Sequence, residues 1–143
     1  SQYSGNGGLT LVDNMRGAED FRIGGWLGFE KVNLEAVIDL RAKKTVSKLS
    51  AGFMQDENAW IFLPSQVEYF LSDDGVNFTS AGVVKNDVPW DKWGVVIKNF
   101  DLKIAPADVR YIKVVGTNIG TCPEGHKGNP GPAWIFTDEI TIE

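Results

Sequence analysis

The sequence has very little of the residues that support covalent cross-links and transition-metal sites. Among 143 residues there is one cysteine, Cys122, and one histidine, His126. A single cysteine excludes a disulfide within the chain, and the pair supplies only two of the three or four protein ligands that zinc takes. We therefore expect stability to come from a hydrophobic core, for which a content of 43% hydrophobic residues is sufficient.

Long apolar runs and basic clusters are lacking as well. The longest uninterrupted apolar run, residues 59–63, is far shorter than the ~20 residues that cross a bilayer. Nineteen acidic residues outnumber fourteen basic ones, and the net charge of −5 repels phosphate backbones and anionic membrane surfaces. We predict no nucleic-acid partner and no membrane insertion. Residues 1–8 lack the basic and apolar segments of a signal peptide, so we interpret the chain as a mature protein or an excised module.

Segments long enough for a helix are scarce, because sixteen glycines and six prolines interrupt the chain. Only residues 29–51 run beyond twenty positions without either residue. Within that stretch, alternate residues from Leu34 to Leu40 are apolar, which is typical of a half-buried strand. A second strand is predicted around Ala51, and residues 41–44 are predicted to form a polar turn between the two.

The same alternation recurs along the rest of the chain. It predicts strands at residues 67–71, 95–97 and 112–114, and a last strand in which Trp134, Phe136, Ile140 and Ile142 share one face. Asp74-Gly75 is a hairpin dipeptide, because tight turns need positive φ values. Two weaker strands, at residues 9–12 and 78–84, bring the number of predicted strands to about eight. We predict an all-β fold, an antiparallel β-sandwich of the jelly-roll kind, as one domain over residues 1–143.

One segment offers a possible nucleophile. Cys122 and His126 lie four residues apart, and a thiolate beside an imidazole is a competent catalytic pair. However, both lie on one Gly- and Pro-rich loop, whereas a cysteine nucleophile usually meets a histidine from elsewhere in the fold. Neither a phosphate-binding loop nor a nucleophile elbow is present. We predict that the chain is not an enzyme and that this loop is structural or part of a binding rim.

Aromatic residues are in surplus, with five Trp, eight Phe and three Tyr. A sugar site pairs a flat aromatic ring with polar side chains, because a pyranose has an apolar C–H face and a rim of hydroxyls. Residues 55–60 and 87–93 combine tryptophan with such polar residues. The alternative, that these tryptophans cap the ends of the core, stays open for each of them.

The residues also allow a calcium site. Asp13 opens a loop that contains Glu19 and Asp20, and calcium prefers carboxylates mixed with backbone carbonyls. The loop lacks the regular acidic spacing of an EF-hand, and a solvated acidic turn is the alternative reading.

Several segments, in this order along the chain, resemble the coagulation factor V/VIII C-type (F5/8 type C, discoidin-like) domain. The resemblance is strongest to carbohydrate-binding module family 32, as attached to bacterial glycoside hydrolases such as family 20 β-hexosaminidases. The segments that carry it are spread over nearly the whole chain and are residues 8–13, 28–29, 37–40, 67–78, 110–114, 122–126 and 133–140.

This resemblance implies a non-catalytic module in a discoidin-like jelly roll. Such a module would target a parent glycoside hydrolase, in the same chain, to galactose- or N-acetylhexosamine-bearing glycans in the periplasm or outside the bacterial cell. A discoidin-type module that makes protein–protein or interdomain contacts, without sugar binding, is the alternative.

The resemblance also suggests site residues. It implies Trp60 as the stacking platform, with Asp56, Asn58, Asn118 and His126 as partners for sugar hydroxyls, while Trp26 and Trp134 are assigned to packing. The chain departs from the family pattern at Gly125, where close relatives often carry Trp.

A structural Ca²⁺ ion is implied in the same way. Its ligands would be the carboxylates of Asp13 and Glu139 and backbone oxygens near Thr10, Met15, Ala18 and Asp138. Ala18 is a departure, because many family members have Thr or Ser there.

Overall fold

The structure, a computed structural model, describes residues 21–23 and 27–143. Within these residues it has seven strands, one short 3-10 helix at Glu57–Ala59 and no α-helix, so the all-β prediction is confirmed. The predicted strand at residues 9–12 lies outside the described residues. No helix in the described part of the chain is long and apolar enough to span a membrane. The strands are β1 Phe21–Ile23, β2 Leu27–Glu30, β3 Leu34–Gln55, β4 Gln66–Ser72, β5 Thr79–Lys85, β6 Val96–Gly116 and β7 Trp134–Ile142.

The seven strands pair antiparallel, in the order β1-β7-β3-β6-β4-β5, with β2 also paired to β7. Two long strands, β3 and β6, hold the sheet together because their halves have different neighbours. Residues 49–54 of β3 pair with β7, whereas residues 111–116 of β6 pair with β4. The sheet thereby curls into two layers, and both long strands pass from one layer to the other. This is the antiparallel sandwich that the sequence predicts.

The core lies between the layers. Phe53 and Phe100 of one layer meet edge to face, with ring centroids 5.5 Å apart. The Tyr69 hydroxyl, from the other layer, donates a hydrogen bond to the Phe100 carbonyl oxygen, and burial raises the pKa of this phenol. The largest side chains with no more than 2% exposure are Tyr69, Phe53, Phe62, Phe100, Leu34, Ile38, Leu49, Leu63 and Ile112.

The turn predicted at residues 41–44 is wrong, because β3 continues through it as a bulged strand. The register with β6 shifts between Asp39 and Lys44, and Arg41 takes a positive φ of 72°. The Asp39 carboxylate stabilises this bend by accepting the Arg41 backbone N–H at 2.7 Å and two bonds from the Arg110 guanidinium. A polar segment inside one bent strand resembles a turn in sequence, and only the pairing distinguishes the two.

The face predicted for β7 is also wrong in part. Gly52 of β3 pairs with Glu139 and Phe53 pairs with Thr137, so Asp138 is an extra residue in β7. This bulge changes the phase of the alternation, and the buried face carries Ile135, Thr137, Ile140 and Ile142. Trp134 and Phe136 lie half-buried on the outer face with ring centroids 6.0 Å apart, so Trp134 packs there and not in the core between the layers.

The two ends of the sandwich carry different loops. The hairpin between β4 and β5 contains Asp74-Gly75, as predicted, with Gly75 at a φ of +76°. The Asp74 carboxylate accepts the backbone N–H groups of Val76 and Asn77, and these bonds lower the pKa of the carboxyl. At the opposite end of β4, residue Ser65 bonds to both Thr117 and Asn86 through the backbone, so the loops before β4, after β5 and after β6 meet there.

Candidate functional site

Three loops form this end of the sandwich, which we call the loop end: residues 56–65, 86–95 and 117–133. Hydrogen bonds join the first loop to the other two. Gln55, at the end of β3, is 1% exposed, and its Nε2 donates to the Pro89 carbonyl oxygen at 3.0 Å. The imidazole of His126 reaches the first loop from the third. The loops are therefore held as one unit and are not independent.

A small cluster of apolar side chains lies under the loops, separate from the main core. It contains the buried residues Phe62, Cys122 and Ala133, with Trp60 and Trp90 packed against them. The His126 ring meets Phe62 edge to face at 5.1 Å between centroids, and it meets Trp90 in the same way at 5.6 Å. Aromatic packing therefore fixes residues 62, 90 and 126 relative to one another.

Trp60, the predicted stacking platform, lies half-buried at the end of the 3-10 helix with a φ of 63°. Its indole lies directly against the 117–133 loop. A Cβ atom added to Gly128 would come 2.8 Å from indole Cε2, and one added to Gly131 would come 2.6 Å from Cζ3. Only glycine fits at these two positions, so the loop sequence is matched to the position of Trp60.

Asp56 and Asn58 lie on the same short segment as Trp60. Asp56 precedes the 3-10 helix, is half-buried and makes no side-chain hydrogen bond that caps it, while its backbone pairs with Ile61. Asn58 is exposed, and its Oδ1 accepts a hydrogen bond from Lys127 Nζ at 3.1 Å. The structure thus brings three of the predicted sugar-binding residues together.

Asn118, predicted to contact sugar hydroxyls, is 8% exposed and bonded within the protein. Its Nδ2 group donates to the Phe29, Val32 and Ala133 carbonyl oxygens, at 3.1, 3.1 and 3.3 Å. Its Oδ1 accepts the Gly120 N–H at 2.8 Å. This arrangement joins the β2–β3 connection to the 117–133 loop, and the burial argues against the predicted contact with sugar.

His126, the other predicted hydroxyl partner in this loop, is 5% exposed. Its Nδ1 accepts the Gly128 N–H at 2.8 Å, and its Nε2 lies 2.8 Å from the Glu57 carbonyl oxygen. The network therefore matches a neutral imidazole with its proton on Nε2. Both ring nitrogens are engaged, so His126 supports the loops, which argues against a direct bond to sugar.

The proposed Cys122–His126 nucleophile does not gain support from the geometry. The Cys122 side chain is buried, its sulfur is 3.5 Å from the Pro132 carbonyl oxygen, and burial raises the pKa of the thiol. A catalytic thiol needs a depressed pKa and access to substrate. Because both His126 nitrogens bond elsewhere, His126 is not positioned to activate the sulfur.

Most of the predicted calcium ligands lie outside the described residues: Thr10, Asp13, Met15 and Ala18. Glu139 lies half-buried on β7 opposite Gly52, and Asp138 is the bulge residue beside it. Within residues 21–23 and 27–143, no three His, Cys, Asp or Glu side chains are grouped so that they could hold a metal ion. The calcium site therefore stays a prediction.

Sequence reasoning did not separate Trp90 from Trp93, although the structure gives them opposite environments. Trp90 packs against Phe62 and His126, whereas Trp93 is 90% exposed. No periodicity extends through residues 86–95, because they form a loop, so no sequence signal could have distinguished the two tryptophans.

No family model matches the sequence, and no curated protein matches it. Solved structures do match the fold. The family 32 carbohydrate-binding module of AlyQ, in complex with 4,5-unsaturated mannuronic acid, is 16% identical with a TM-score of 0.54, over 99% of this chain and 88% of that one. A family 29 fucosidase of Ruminococcus gnavus, in complex with fucose, is 14% identical with a TM-score of 0.55, over 82% of this chain and 19% of that one. The chain therefore has the discoidin-like β-sandwich fold of the family 32 carbohydrate-binding modules.

Proposed function

We propose that this chain is a family 32 carbohydrate-binding module without catalytic activity, and that it binds glycans at the loop end. The observation that carries the proposal is the placement of Trp60 beside Asp56 and Asn58 on one segment, which the buried His126 and two glycines hold in position. The fold shared with a sugar-bound module supports it.

The chemistry of this segment suits a pyranose. The exposed part of the Trp60 indole would contact the C–H face of the ring, while Asp56 accepts and Asn58 accepts or donates hydrogen bonds with hydroxyls. A site of this size that contacts one or two sugars binds weakly, on the order of micromolar to millimolar. Tethering to a catalytic domain in the same chain compensates through effective concentration.

The finer parts of the proposal follow from the sequence resemblance. The ligands would be galactose- or N-acetylhexosamine-bearing glycans, the parent protein a glycoside hydrolase such as a β-hexosaminidase, and the location periplasmic or extracellular. A structural Ca²⁺ ion would be held by Asp13 and Glu139 with backbone oxygens near Thr10, Met15, Ala18 and Asp138. Such an ion would contribute charge neutralisation and rigidity to an acidic loop, and no catalytic step would depend on it.

The test is a glycan array followed by calorimetry on the glycans that bind. Asp56→Ala, Asn58→Ala and Trp60→Phe should each weaken binding several-fold, because each removes or reduces a proposed contact. Asp73→Ala, in the β4–β5 hairpin at the opposite end, is the matched control and should bind as the wild type does. Absence of binding to every glycan, or equal binding by all four variants and the wild type, would contradict the proposal.

A contact module without sugar binding is the second candidate, and one observation favours it. Trp93, Val95 and Ile97 are 90%, 61% and 62% exposed, and exposed apolar groups in one short segment mark an interaction surface. This candidate requires that no glycan bind, and that the Trp93→Ala variant lose association with the parent's catalytic domain.

A further inference from the structure

Trp93 differs from the other described tryptophans in being almost fully exposed. Trp60 and Trp90 pack into the apolar cluster under the loops, and Trp134 is half-buried on the outer face of β7. Trp93 is 90% exposed. Tryptophan carries a large apolar surface whose burial is favourable, so an indole left in water is unusual unless a ligand covers it.

The loop that carries Trp93 is anchored at its other positions. The Asn86 side chain forms an Asx-type turn, with Oδ1 accepting the Val88 N–H and Nδ2 donating to the Val88 carbonyl, both at 3.0 Å. Gln55 bonds to the Pro89 carbonyl oxygen, and Lys98 binds Asp87 at 2.7 Å, at the base of the loop. Trp90 is packed. The loop is therefore held in place while it presents Trp93 to solvent, which lowers the entropic cost of binding there.

The residues around Trp93 suit a neutral sugar. Asp91 and Lys92 precede it and are both exposed, so an exposed carboxylate acceptor and an exposed ammonium donor, with no net charge, lie next to Trp93 in sequence. Gly94 follows with a φ of +86°, and nothing lies within 4 Å of the position that a Cβ atom would take. The space at Gly94 is thus open, and the 90% exposure of Trp93 leaves its side chain accessible to a ligand.

The Trp93 loop adjoins the segment on which glycan binding is proposed. Gln55 immediately precedes Asp56 and holds Pro89, and the Phe62 and Trp90 rings are 6.5 Å apart. Two loops that are joined in this way present two tryptophans, Trp60 and Trp93, at one end of the sandwich. An oligosaccharide that extends from one loop to the other would contact both.

We propose that Trp93 forms a second sugar subsite, and that the module recognises an oligosaccharide chain of neutral or N-acetylated hexoses instead of a single terminal sugar. This inference rests on the proposed function, because it assigns the length of the ligand and a specificity-determining residue. The proposal predicts that affinity for a glycan rises with the length of the glycan, and that this rise depends on the Trp93 side chain.

The experiment measures how affinity depends on glycan length. The whole module is titrated by calorimetry with galactose, N-acetylglucosamine, and the β1,4-linked di- to tetrasaccharides of each. The expected result is that the preferred tetrasaccharide binds at least tenfold more tightly than its monosaccharide. Trp93→Ala should remove about tenfold, equivalent to ~1.4 kcal/mol, from tetrasaccharide binding and leave monosaccharide binding unchanged. Val76→Ala is the control, because Val76 is 79% exposed in the hairpin at the opposite end.

The outcomes separate the two proposals. Binding without length dependence, or an equal loss for monosaccharide and tetrasaccharide in Trp93→Ala, overturns the second subsite and leaves the proposed function standing. If none of these sugars and no member of the wider glycan array binds, both proposals fall. Sedimentation of the Trp93→Ala variant and of the wild type measures their oligomeric states. A dimer that dissociates in the variant, with tetrasaccharide affinity unchanged, assigns Trp93 to a protein interface and overturns the inference.

Discussion

His126 and Glu57 join two loops that are far apart in sequence. The imidazole Nε2 lies 2.8 Å from the Glu57 carbonyl oxygen and 3.1 Å from a Glu57 carboxylate oxygen, across 69 positions of the chain. The His126 side chain is 1% exposed and that of Glu57 is 22% exposed, so the contact lies mostly out of water. Because Asn58 and Trp60 follow Glu57 directly, this contact positions the segment on which sugar binding is proposed.

His126→Ala should lower the free energy of unfolding by about 1–3 kcal/mol, because it leaves the buried Gly128 N–H without its partner and removes one of the two hydrogen bonds to the Glu57 carbonyl oxygen. Urea denaturation measures this. Lys127→Ala, the exposed neighbour, is the control and should stay within about 0.5 kcal/mol of wild type. Equal, small effects of the two substitutions would show that His126 does not hold the loops.

Gly128→Ala tests the fit between the 117–133 loop and Trp60. The added methyl group would approach Trp60, Cys122 and His126 to 2.8, 3.0 and 3.0 Å, and we expect a loss of about 1–3 kcal/mol from overpacking. In a Trp60→Ala background the same substitution should cost less, because the nearest of the three contacts is gone. Denaturation of the four proteins gives the coupling energy, and strict additivity would contradict the contact.

The Asp39–Arg110 pair predicts a pH dependence of stability. Hydrogen bonds from Arg110 hold the pKa of Asp39 below its usual value, despite partial burial. A depressed folded-state pKa stabilises the protein above the unfolded-state pKa of about 4, and this stabilisation is lost as pH falls through the folded-state value. Asp39→Asn should therefore cost at most about 1 kcal/mol at pH 7, since the pair is partly exposed, and less near pH 2.

Denaturation at both pH values measures this difference. Asn can still accept the Arg41 N–H, so the variant isolates the loss of charge. Asp91→Asn, on an exposed residue, is the control. A difference between Asp39→Asn and wild type that persists unchanged at pH 2 would exclude the charge as its origin.

Removal of calcium tests the predicted metal site. If Asp13 and Glu139 hold Ca²⁺ in the native state, a chelator should lower the melting temperature, because free calcium at 100 times its Kd stabilises by about 2.7 kcal/mol. Asp13→Ala should abolish the calcium-dependent shift, and Asp91→Ala should retain it. Identical melting curves with chelator and with millimolar calcium would refute the site.

Alkylation of Cys122 distinguishes a structural from a catalytic thiol. With 1% exposure and a raised pKa, the native thiol should react with iodoacetamide at pH 8 at less than about one tenth of the rate of a small free thiol. Denaturant should restore the ordinary rate. A native rate at or above that of the free thiol would revive the Cys122–His126 nucleophile.

The local alternation of apolar residues predicted which segments are strands better than it predicted whether two such segments belong to one continuous strand. The alternation from Leu34 and the apolar residues near Ala51 both lie in strand, but the chain between them is a bulge and not a turn. Likewise β7 is a strand as predicted, yet the extra residue Asp138 places Trp134 on the other face. A period-2 pattern carries no information on where one extra residue is inserted, because a bulge is defined by the pairing with the partner strand.

The candidate site was predictable only in part, for a related reason. Segment composition indicated residues 55–60, and the resemblance implied Asp56, Asn58 and Trp60 as sugar contacts; these three are close in sequence and stay together in the structure. Asn118 and His126 have the residue types of a sugar site, but their burial depends on loops that are distant in sequence. The contrast between Trp90 and Trp93 arises in the same way, because packing of Trp90 against His126 is a tertiary event.

By itself the sequence determined an all-β chain with no internal disulfide, a hairpin at Asp74-Gly75 and a polar aromatic segment ending at Trp60. These properties depend on residue counts, on backbone preferences and on neighbours a few positions away. Only the tertiary structure decided that β3 and β6 bend between two layers, that His126 supports a loop, and that Trp93 is the one tryptophan of residues 27–143 that is almost fully exposed. Each of these depends on contacts between segments tens of residues apart, and side-chain burial there is set by the packed neighbours and not by the local sequence.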